Sequence, residues 1–149
     1  MRKHAKDETQ ILIVDDDQLV RDFAVDTLQY GLNRGVITFE SGFDAWQFIS
    51  SQPDKVDIII ADANIPDMDG FELLKYVKKS LPDKTFIITA GDAELEETAS
   101  RNCADAFISK PYDVKDLFAV IKKVIKTTNT PPEAKIKVFR ENRPPSPSD

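Results

Sequence analysis

Residues 56–62 read Val-Asp-Ile-Ile-Ile-Ala-Asp, a short β-branched run that ends in a carboxylate. An apolar run of this length without alternation is typical of a strand buried on both faces of a parallel sheet. Four further runs resemble it in length and composition. Together they predict five strands at Gln10–Val14, Val36–Phe39, Val56–Ala61, Thr85–Thr89 and Ala106–Ser109.

A segment with helical spacing of apolar residues follows each predicted strand. In four of them the apolar positions are well populated: Val20, Phe23, Ala24, Thr27, Leu28; Phe43, Trp46, Ile49; Phe71, Leu74, Val77, Leu81; and Val114, Leu117, Phe118, Ile121, Val124, Ile125. The fourth segment along the chain, Ala93–Asn102, has the smallest apolar surface, so we expect it to be the most mobile helix. Strict alternation predicts a doubly wound α/β fold, in which a five-stranded parallel sheet carries helices on both faces.

Start and stop signals mark two of these helices. Ser41 and Asp69 each precede an acidic residue by three positions, as in a capping box at a helix start. Pro53 and Pro82 stand just beyond the second and third predicted helices, where proline cannot continue a helix. The boundaries of these two helices are therefore expected near those residues.

The composition is that of a soluble globular protein of 149 residues, 41% of them hydrophobic. No apolar run approaches the roughly 20 residues that a membrane span needs, and the start lacks the apolar stretch of a secretory signal, so we expect a cytoplasmic protein. Cys103 and His4 are the only cysteine and histidine. This excludes an internal disulfide, a cysteine-cluster zinc site and histidine-based triads, and we expect the Cys103 thiol to be buried or unreactive.

The net charge of −6 is unevenly distributed along the chain. The segment from Lys122 to Asp149 has seven basic and three acidic residues, so its net charge is +4 and the remainder carries −10. An acidic body argues against direct binding of nucleic acid, because affinity for nucleic acid depends on neutralising phosphates with Lys and Arg.

Polar side chains follow four of the predicted strands. The first strand runs into Asp15-Asp16-Asp17, the third into Asp62, the fourth ends at Thr89 and the fifth runs into Lys110. Each residue taken singly has a simpler explanation. Asp17 would cap the first helix, Thr89 would form a hydrogen bond to the backbone, and Lys110 would be a solvated lysine at a strand end. Ligands of open α/β sheets bind at the carboxyl ends of the strands, however, so the coincidence at four ends favours one shared site.

The chemistry of these side chains indicates phosphoryl transfer. Converging carboxylates repel one another unless a cation compensates their charge. Oxygen ligands suit Mg²⁺, Mn²⁺ or Ca²⁺, and Mg²⁺ suits best a site that leaves positions for water and phosphate oxygens. The Lys110 ammonium complements phosphate. Charge alone does not select the nucleophile, but Asp62 stands singly at the end of a central strand, and an aspartate can form an acyl phosphate.

Four separated motifs stand at the ends of these elements: Ile11-Leu12-Ile13-Val14-Asp15-Asp16-Asp17, Ile60-Ala61-Asp62-Ala63-Asn64-Ile65-Pro66-Asp67-Met68-Asp69-Gly70, Ile88-Thr89-Ala90 and Ser109-Lys110-Pro111. In order and spacing they resemble bacterial response-regulator receiver domains, over about Thr9 to Ile125. The resemblance implies a flavodoxin-like sheet of order 2-1-3-4-5. It also implies phosphorelay signal transduction in a two-component system, and no activity as an enzyme beyond the domain's own Mg²⁺-dependent phosphorylation and dephosphorylation.

The resemblance assigns roles to the site residues. Asp62 would accept a phosphoryl group from the phosphohistidine of a sensor histidine kinase or a phosphotransfer protein. Mg²⁺, or Mn²⁺ in its place, would be held by Asp16, Asp62 and the backbone carbonyl of Asn64, with Asp15 ligating through water. Lys110 would contact the phosphoryl oxygens together with the hydroxyl group of Thr89.

The resemblance also implies a conformational switch. Thr89 and Phe107 match the family's switch pair, in which the hydroxyl moves towards the phosphoryl group and the ring turns into the space left behind. The surface of the fourth helix, fifth strand and fifth helix would then bind a downstream protein, and a weak or phosphorylation-dependent homodimer fits the same expectation. The family usually has a cis bond at Lys110–Pro111, which we expect here.

The same resemblance sets the expected domain organisation. Residues 1–8 are expected to form a flexible N-terminus and residues 9–126 the receiver domain. Residues 127–149 are rich in Pro and Ser, a composition that seldom packs, so we expect a disordered tail without an output domain.

Two alternatives remain open. A phosphorylation-independent adaptor would keep the receiver fold as a scaffold, although such modules usually lose site residues and none is missing here. A haloacid-dehalogenase-type phosphatase would use Asp15-Asp16-Asp17 as an Asp-x-Asp motif, with Thr89 and Asp92 as later pieces. That family places its lysine before the last acidic motif, whereas Lys110 follows Asp92, and Asp62 would have no role.

Overall fold

The fold is that of a computed structural model, which describes residues 9–31 and 35–127. Within these ranges five strands alternate with five α-helices. The strands are β1 Ile11–Val14, β2 Val36–Phe39, β3 Ile58–Asp62, β4 Thr85–Ala90 and β5 Ala106–Ser109. The helices are α1 Gln18–Asp26, continued by a π-helical turn at Thr27–Gly31, then α2 Gly42–Ser51, α3 Gly70–Ser80, α4 Leu95–Arg101 and α5 Val114–Thr127, with a 3₁₀ turn at Pro53–Lys55.

All four strand pairs are parallel, and the strand order is β2-β1-β3-β4-β5. This confirms the doubly wound, flavodoxin-like architecture expected from the sequence. The strand order reverses between β1 and β3, so the crossovers from these two strands leave on opposite sides of the sheet. A crevice forms at their carboxyl ends, which is where such folds bind ligands.

Each face of the sheet has its own core, and β3 contributes to both. Ile59 and Ala61 pack under α2, α3 and α4, whereas Ile58 and Ile60 pack under α1 and α5. Because side chains alternate along a strand, burial on both faces requires apolar residues at every position. Each buried isoleucine stabilises the fold by roughly 1.5–3 kcal/mol, which accounts for the unbroken apolar run in this strand.

β3 begins at Ile58, two residues later than the predicted start at Val56, and extends through Asp62. The 3₁₀ turn at Pro53–Lys55 occupies the chain just before it, and the Asp57 carboxylate accepts a hydrogen bond from the Gln10 N–H at 2.9 Å. At the other end Asp62 pairs with β4. The acidic residue is therefore the last residue of the strand.

α4 is shorter than the predicted Ala93–Asn102, and Cys103 at its end is exposed, so the thiol is not buried and its expected lack of reactivity stays a prediction. The Ala104 N–H donates to the Ala99 carbonyl at 3.0 Å, and the Cys103 N–H donates to the Ser100 carbonyl at 3.1 Å. This is a Schellman motif, in which the residue after the C-cap adopts positive φ. Cys103 has φ of 69°. The motif turns the chain back into the core at Ala104 and leaves the thiol outside.

The described residues end close to the two predicted boundaries of the domain. Residues 1–8, predicted to be a flexible N-terminus, and residues 128–149 of the predicted tail lie outside the described residues. Thr127, placed at the start of that tail from the sequence, is the last residue of α5. In the described ranges no helix combines the length and apolar character needed to cross a bilayer.

Candidate functional site

Three carboxylates converge at the carboxyl ends of β1 and β3. Asp15 and Asp16 follow β1, Asp62 ends β3, and each offers an oxygen within 4.8 Å of the others. Asp15 and Asp62 are only 2% and 7% exposed, whereas Asp16 is exposed. The pairing of β1 with β3 brings these residues together, as their positions at the strand ends predicted.

The Lys110 ammonium lies between two of the carboxylates. Its Nζ is 2.8 Å from Asp15 Oδ2 and 3.0 Å from Asp62 Oδ2, and the side chain is 19% exposed. The Lys110 N–H donates to the Ala90 carbonyl at 2.8 Å, which ties the end of β5 to β4. The Lys110–Pro111 bond is cis, as predicted. Lys110 is therefore part of the site rather than a solvated lysine.

The charges of this cluster are mutually dependent. Burial disfavours the charged ammonium, but hydrogen bonds to Asp15 and Asp62 outweigh it and raise the pKa of Lys110. Burial also raises the pKa of Asp15, against the opposing hydrogen bonds from Lys110 and the Asp17 N–H. A buried carboxylate in such surroundings gains from a cation nearby. At neutral pH Lys110 supplies one such charge.

The acidic loop after β1 is held by its own backbone and by α1. The Asp17 carboxylate caps the helix, accepting the N–H groups of Leu19 at 2.9 Å and Val20 at 3.4 Å. Asp15 Oδ1 accepts the Asp17 N–H at 2.9 Å, and Arg21 Nη1 donates to the Asp15 carbonyl at 2.6 Å. The helix-cap interpretation of Asp17 is confirmed. Arg21 was missed from the sequence, where its position one helical turn after Asp17 was the available signal.

Thr89 is directly opposite Asp62 in the register of β3 and β4. Its side chain is 2% exposed, and its carbonyl accepts the Ala63 N–H at 2.8 Å. Partners in a parallel ladder are about 4.8 Å apart and their side chains point to the same face. The hydroxyl predicted for the site therefore lies beside Asp62 on the same edge of the sheet.

The chain leaves β3 through a loop that packs closely under Asp62. The Asn64 N–H donates to Asp62 Oδ1 at 3.3 Å, and the Asn64 side chain is exposed. A Cβ at Gly70 would lie 2.5 Å from the Asp62 carbonyl oxygen, so the start of α3 can meet the end of β3 only with glycine at this position. The loop places the Asn64 N–H next to the Asp62 carboxylate, and the metal-binding role of the Asn64 carbonyl stays a prediction.

Phe107 lies on β5, opposite Ile88 of β4. Its ring is partly buried and packs against the core that α2, α3 and α4 cover. Of the two predicted switch residues, Thr89 therefore lies beside Asp62, and Phe107 lies on the neighbouring strand with part of its ring in solvent.

A groove of about 440 Å³ adjoins Lys110 on the side of α1. It is lined by Leu19, Val20, Phe23, Gly91, Lys110, Pro111 and Tyr112. Leu19 is 79% exposed and Phe23 37%, and the Phe23 and Tyr112 rings are 6.0 Å apart. The sequence pattern assigned Phe23 to the apolar face of the first helix and gave no sign of this groove, which forms only where α1 meets the turn after β5.

The donor set fits a hard divalent cation. Its three side chains are carboxylates, Asp16 is open to solvent, and a single ammonium leaves the cluster with a net negative charge. Oxygen ligands with room for water are what Mg²⁺ and Mn²⁺ prefer. The geometry gives no support to the phosphatase alternative, because Asp62 is central to the cluster rather than apart from it.

The family described as response regulator receiver domain matches residues 11–122 of the chain. The sensor kinase CckA of Brucella abortus is 36% identical over 121 residues, which are 77% of this chain and 12% of that protein. The transcriptional regulator NtrC of Azospirillum brasilense is 30% identical over 126 residues, which are 83% of this chain and 25% of that protein. The chain thus spans a quarter or less of the length of these two relatives.

Solved structures agree with this assignment. A CheY-like response regulator receiver domain protein from Methanospirillum hungatei superimposes with a TM-score of 0.73 at 29% identity, covering 81% of this chain and 96% of that one. Nothing in these comparisons favours an adaptor or a phosphatase. The chain belongs to the response regulator receiver domain family, and it is a phosphoryl-accepting signalling domain rather than a conventional enzyme.

Proposed function

We propose that Asp62 is the phosphoacceptor and that a histidine kinase or a phosphotransfer protein is the donor. The observation that carries this proposal is the bridge from Lys110 Nζ to Asp15 and Asp62, next to the exposed carboxylate of Asp16. A carboxylate nucleophile, a fixed ammonium and a cluster with room for a divalent cation are the parts that phosphoryl transfer requires.

In the proposed reaction an Asp62 carboxylate oxygen attacks the phosphorus of the donor. The new O–P bond forms as the P–N bond of the phosphohistidine breaks, and the imidazole leaves with the electron pair. Lys110 holds its positive charge beside the transferred oxygens, and the Thr89 hydroxyl donates a hydrogen bond to one of them. The Lys110 ammonium already contacts Asp62 before the donor arrives, so little reorganisation of this charge is needed.

The carboxylates of Asp15, Asp16 and Asp62 and the backbone carbonyl of Asn64 would hold Mg²⁺, with Asp15 acting through water and Mn²⁺ able to replace the ion. The ion supplies positive charge that offsets the carboxylates and the phosphoryl oxygens. The same residues would support loss of the phosphoryl group to water, so the domain would catalyse both its phosphorylation and its dephosphorylation.

Intact mass spectrometry after incubation with acetyl phosphate and Mg²⁺ tests the proposal. We expect a phosphate-sized mass gain that is absent in Asp62→Asn and in the presence of a chelator. Asp57→Asn changes an aspartate just before the opposite end of the same strand and should keep the gain. A gain that survives in Asp62→Asn would refute the assignment of the phosphoacceptor.

The groove beside Lys110 suits the phosphate donor. A protein donor must bring its histidine to Asp62, and the exposed Leu19 and Phe23 offer apolar contact area directly beside that approach. Truncation of such exposed anchors weakens association without changing the chemistry of the site. We place the donor at this groove for that reason.

Two phosphate donors of different size separate docking from chemistry. Leu19→Ser combined with Phe23→Ser should slow phosphorylation by a purified phosphotransfer protein about tenfold, and leave the rate with acetyl phosphate unchanged. Phe43→Ser is the matched control, because Phe43 is 50% exposed on α2 and is not among the residues that line the groove. Equal losses with both donors would place the two residues in the chemistry instead.

On the output side, phosphorylation would draw the Thr89 hydroxyl inward and let the half-buried Phe107 ring turn, shifting α4 and β5. The surface of α4, β5 and α5 would then bind a downstream protein or a second copy of the chain. We place this receiver unit, which the structure describes up to the end of α5 at Thr127, in a cytoplasmic protein.

A further inference from the structure

The loop between β3 and α3, residues 63–69, carries Asn64 and is tied at its two ends. The Gly70 N–H donates to the Ala63 carbonyl at 3.3 Å, so the loop closes on itself. The bond from the Asn64 N–H to the strand end is itself long, at 3.3 Å. Ile65 is buried, and Pro66 and Asp67 after it are exposed, so the position of Asn64 depends in part on what holds this exposed stretch.

The Asp67 carboxylate binds the N-terminus of α2. Its oxygens accept hydrogen bonds from the Ser41 hydroxyl at 2.5 Å, the Gly42 N–H at 3.0 Å and the Phe43 N–H at 3.2 Å. The first amides of a helix have no acceptor within the helix, and the helix dipole favours a carboxylate there. These bonds, led by the one from Ser41, lower the pKa of Asp67 to about 2. We call the three bonds the Asp67 clamp.

A second contact joins the same two segments independently of charge. Gly42 is buried, and a Cβ at this position would overlap the carbonyl oxygen of Met68, the residue after Asp67. The first residue of α2 thus meets the backbone of the loop directly. Both contacts link parts of the chain about 25 residues apart, so they hold the loop to a separate element of the fold.

We infer that Asp67 is a positioning residue for the phosphoryl-transfer site, because it fixes the β3–α3 loop against α2 and thereby sets the place of Asn64 beside Asp62. This inference rests on the proposed function, in which the Asn64 carbonyl is one of the groups that hold Mg²⁺. Asp67 does not touch the reacting atoms. Without the Asp67 clamp the middle of the loop loses its polar ties to α2, and the Asn64 carbonyl takes up a wider range of positions.

A titration of Asp67→Ala with Mg²⁺, followed by the NMR amide shifts of Asp62 and Asn64, tests the inference. We expect the affinity for Mg²⁺ to fall about tenfold, as for other groups that orient metal ligands. The Gly42 and Phe43 amides should exchange faster with solvent. Phosphorylation by acetyl phosphate should be slow at low Mg²⁺ and recover at saturating Mg²⁺, which a general loss of structure would not produce.

Two variants complete the comparison. Asp67→Asn keeps the shape and one acceptor oxygen and should bind Mg²⁺ with intermediate affinity, and it carries the test if Asp67→Ala fails to fold. Asp44→Ala removes an exposed carboxylate from the first turn of the same helix and leaves the Asp67 clamp intact, so its affinity should equal that of the wild type. An equal loss in Asp44→Ala would assign the effect to charge alone and overturn the inference.

Wild-type affinity for Mg²⁺ in Asp67→Ala, with the Gly42 amide exchanging faster, would also overturn the inference. The proposed function has its own check in the same experiment, since the wild type must bind Mg²⁺ and accept the phosphoryl group, and Asp62→Asn must not accept it. A wild type that does not bind Mg²⁺ or does not accept the phosphoryl group would refute the proposed function. A competent wild type together with unchanged Mg²⁺ affinity in Asp67→Ala would refute only the positioning role.

Discussion

Lys110 is the residue on which the charge balance of the site depends. Asp15 and Asp62 are almost fully buried, and the ammonium at 2.8 and 3.0 Å is the cation that bridges them. Two buried carboxylates without a cation would repel each other, and each would lose solvation without compensation. The lysine therefore stabilises the folded chain as well as preparing it for a phosphoryl group.

Lys110→Met should lower the free energy of unfolding by about 2 kcal/mol in metal-free buffer, because it leaves the two carboxylates uncompensated while keeping the length of the side chain. Addition of Mg²⁺ should restore much of this loss, since a ligand that binds the folded state stabilises it. Urea unfolding with and without Mg²⁺ measures both effects. Lys115→Met, at an exposed position of α5, is the control and should unfold like the wild type. Equal midpoints for both variants would show that the ammonium does not offset the repulsion.

The pKa of the Tyr112 phenol responds to the same buried and negatively charged surroundings. Burial, followed by the charge of Asp15, raises the pKa of its phenol from 10.0 to about 12. Between these pH values the unfolded chain has released this proton and the folded chain still holds it. The contribution of the Tyr112 phenol to the free energy of unfolding is therefore fully present below about pH 10, and it is lost as the pH rises towards 12.

A spectrophotometric titration of phenolate absorbance checks this pH dependence. Tyr112→Phe should remove the titration step near pH 12 and flatten the alkaline loss of stability, which amounts to about 2 kcal/mol. Tyr30→Phe, at an 88% exposed position, should leave that step in place. Persistence of the step in Tyr112→Phe would assign it to another group.

At the scale of the elements, the starts of two helices have the expected capping side chains, whereas the end of α4 has an unusual residue. Ser41 accepts the Asp44 N–H at 3.0 Å, and Asp69 accepts the Glu72 N–H at 2.9 Å, so both predicted helix starts are confirmed. The end of α4 departs from the usual pattern, because Cys103 occupies a position of φ 69° where glycine is favoured.

Cys103→Gly should raise the free energy of unfolding by about 0.5–1 kcal/mol, since glycine adopts positive φ without the steric cost that a Cβ adds. Thermal unfolding followed by circular dichroism measures the change. Ser100→Gly, inside the same helix, should have the opposite sign and lower stability by about 0.5 kcal/mol. A destabilised Cys103→Gly would mean that the cysteine side chain contributes more than its backbone costs.

At the scale of the whole molecule, two separate cores meet at one sheet, and the site lies where its strands end. Phe107 packs on the face covered by α2, α3 and α4, whereas Lys110, three residues later, reaches the crevice between β1 and β3. β5 therefore connects the site to the proposed output surface. A change at one end of this strand has a direct structural route to α4.

Beryllofluoride with Mg²⁺ should shift the amide resonances of α4, β5 and α5 if this route operates. In Thr89→Ala the shift at Phe107 should fall below about half of its wild-type value, because the hydroxyl that follows the phosphoryl group is missing. Thr38→Ala, at an exposed position of β2, should behave like the wild type. An unchanged shift at Phe107 in Thr89→Ala would exclude the coupling, and unchanged amides throughout α4, β5 and α5 would exclude the output surface.

The sequence by itself determined the order of the elements, the parallel sheet and the side chains at its carboxyl edge. The apolar run at Val56–Ala61 predicts a strand buried on both faces, and the alternation of strands with helices permits few topologies. Asp15, Asp62 and Lys110 could be assigned to one edge because the carboxyl ends of parallel strands share it. These inferences need only local periodicity and connectivity.

The tertiary structure alone decided which atoms meet. The Lys110 bridge, the contact of Arg21 with the Asp15 carbonyl, the apolar groove beside α1 and the Asp67 clamp join side chains whose partners are set by packing between elements. Ser41 and Asp67 are 26 residues apart, and no periodicity in the sequence relates them. Local patterns specify which face a residue occupies, but the distance between two elements depends on every side chain packed between them.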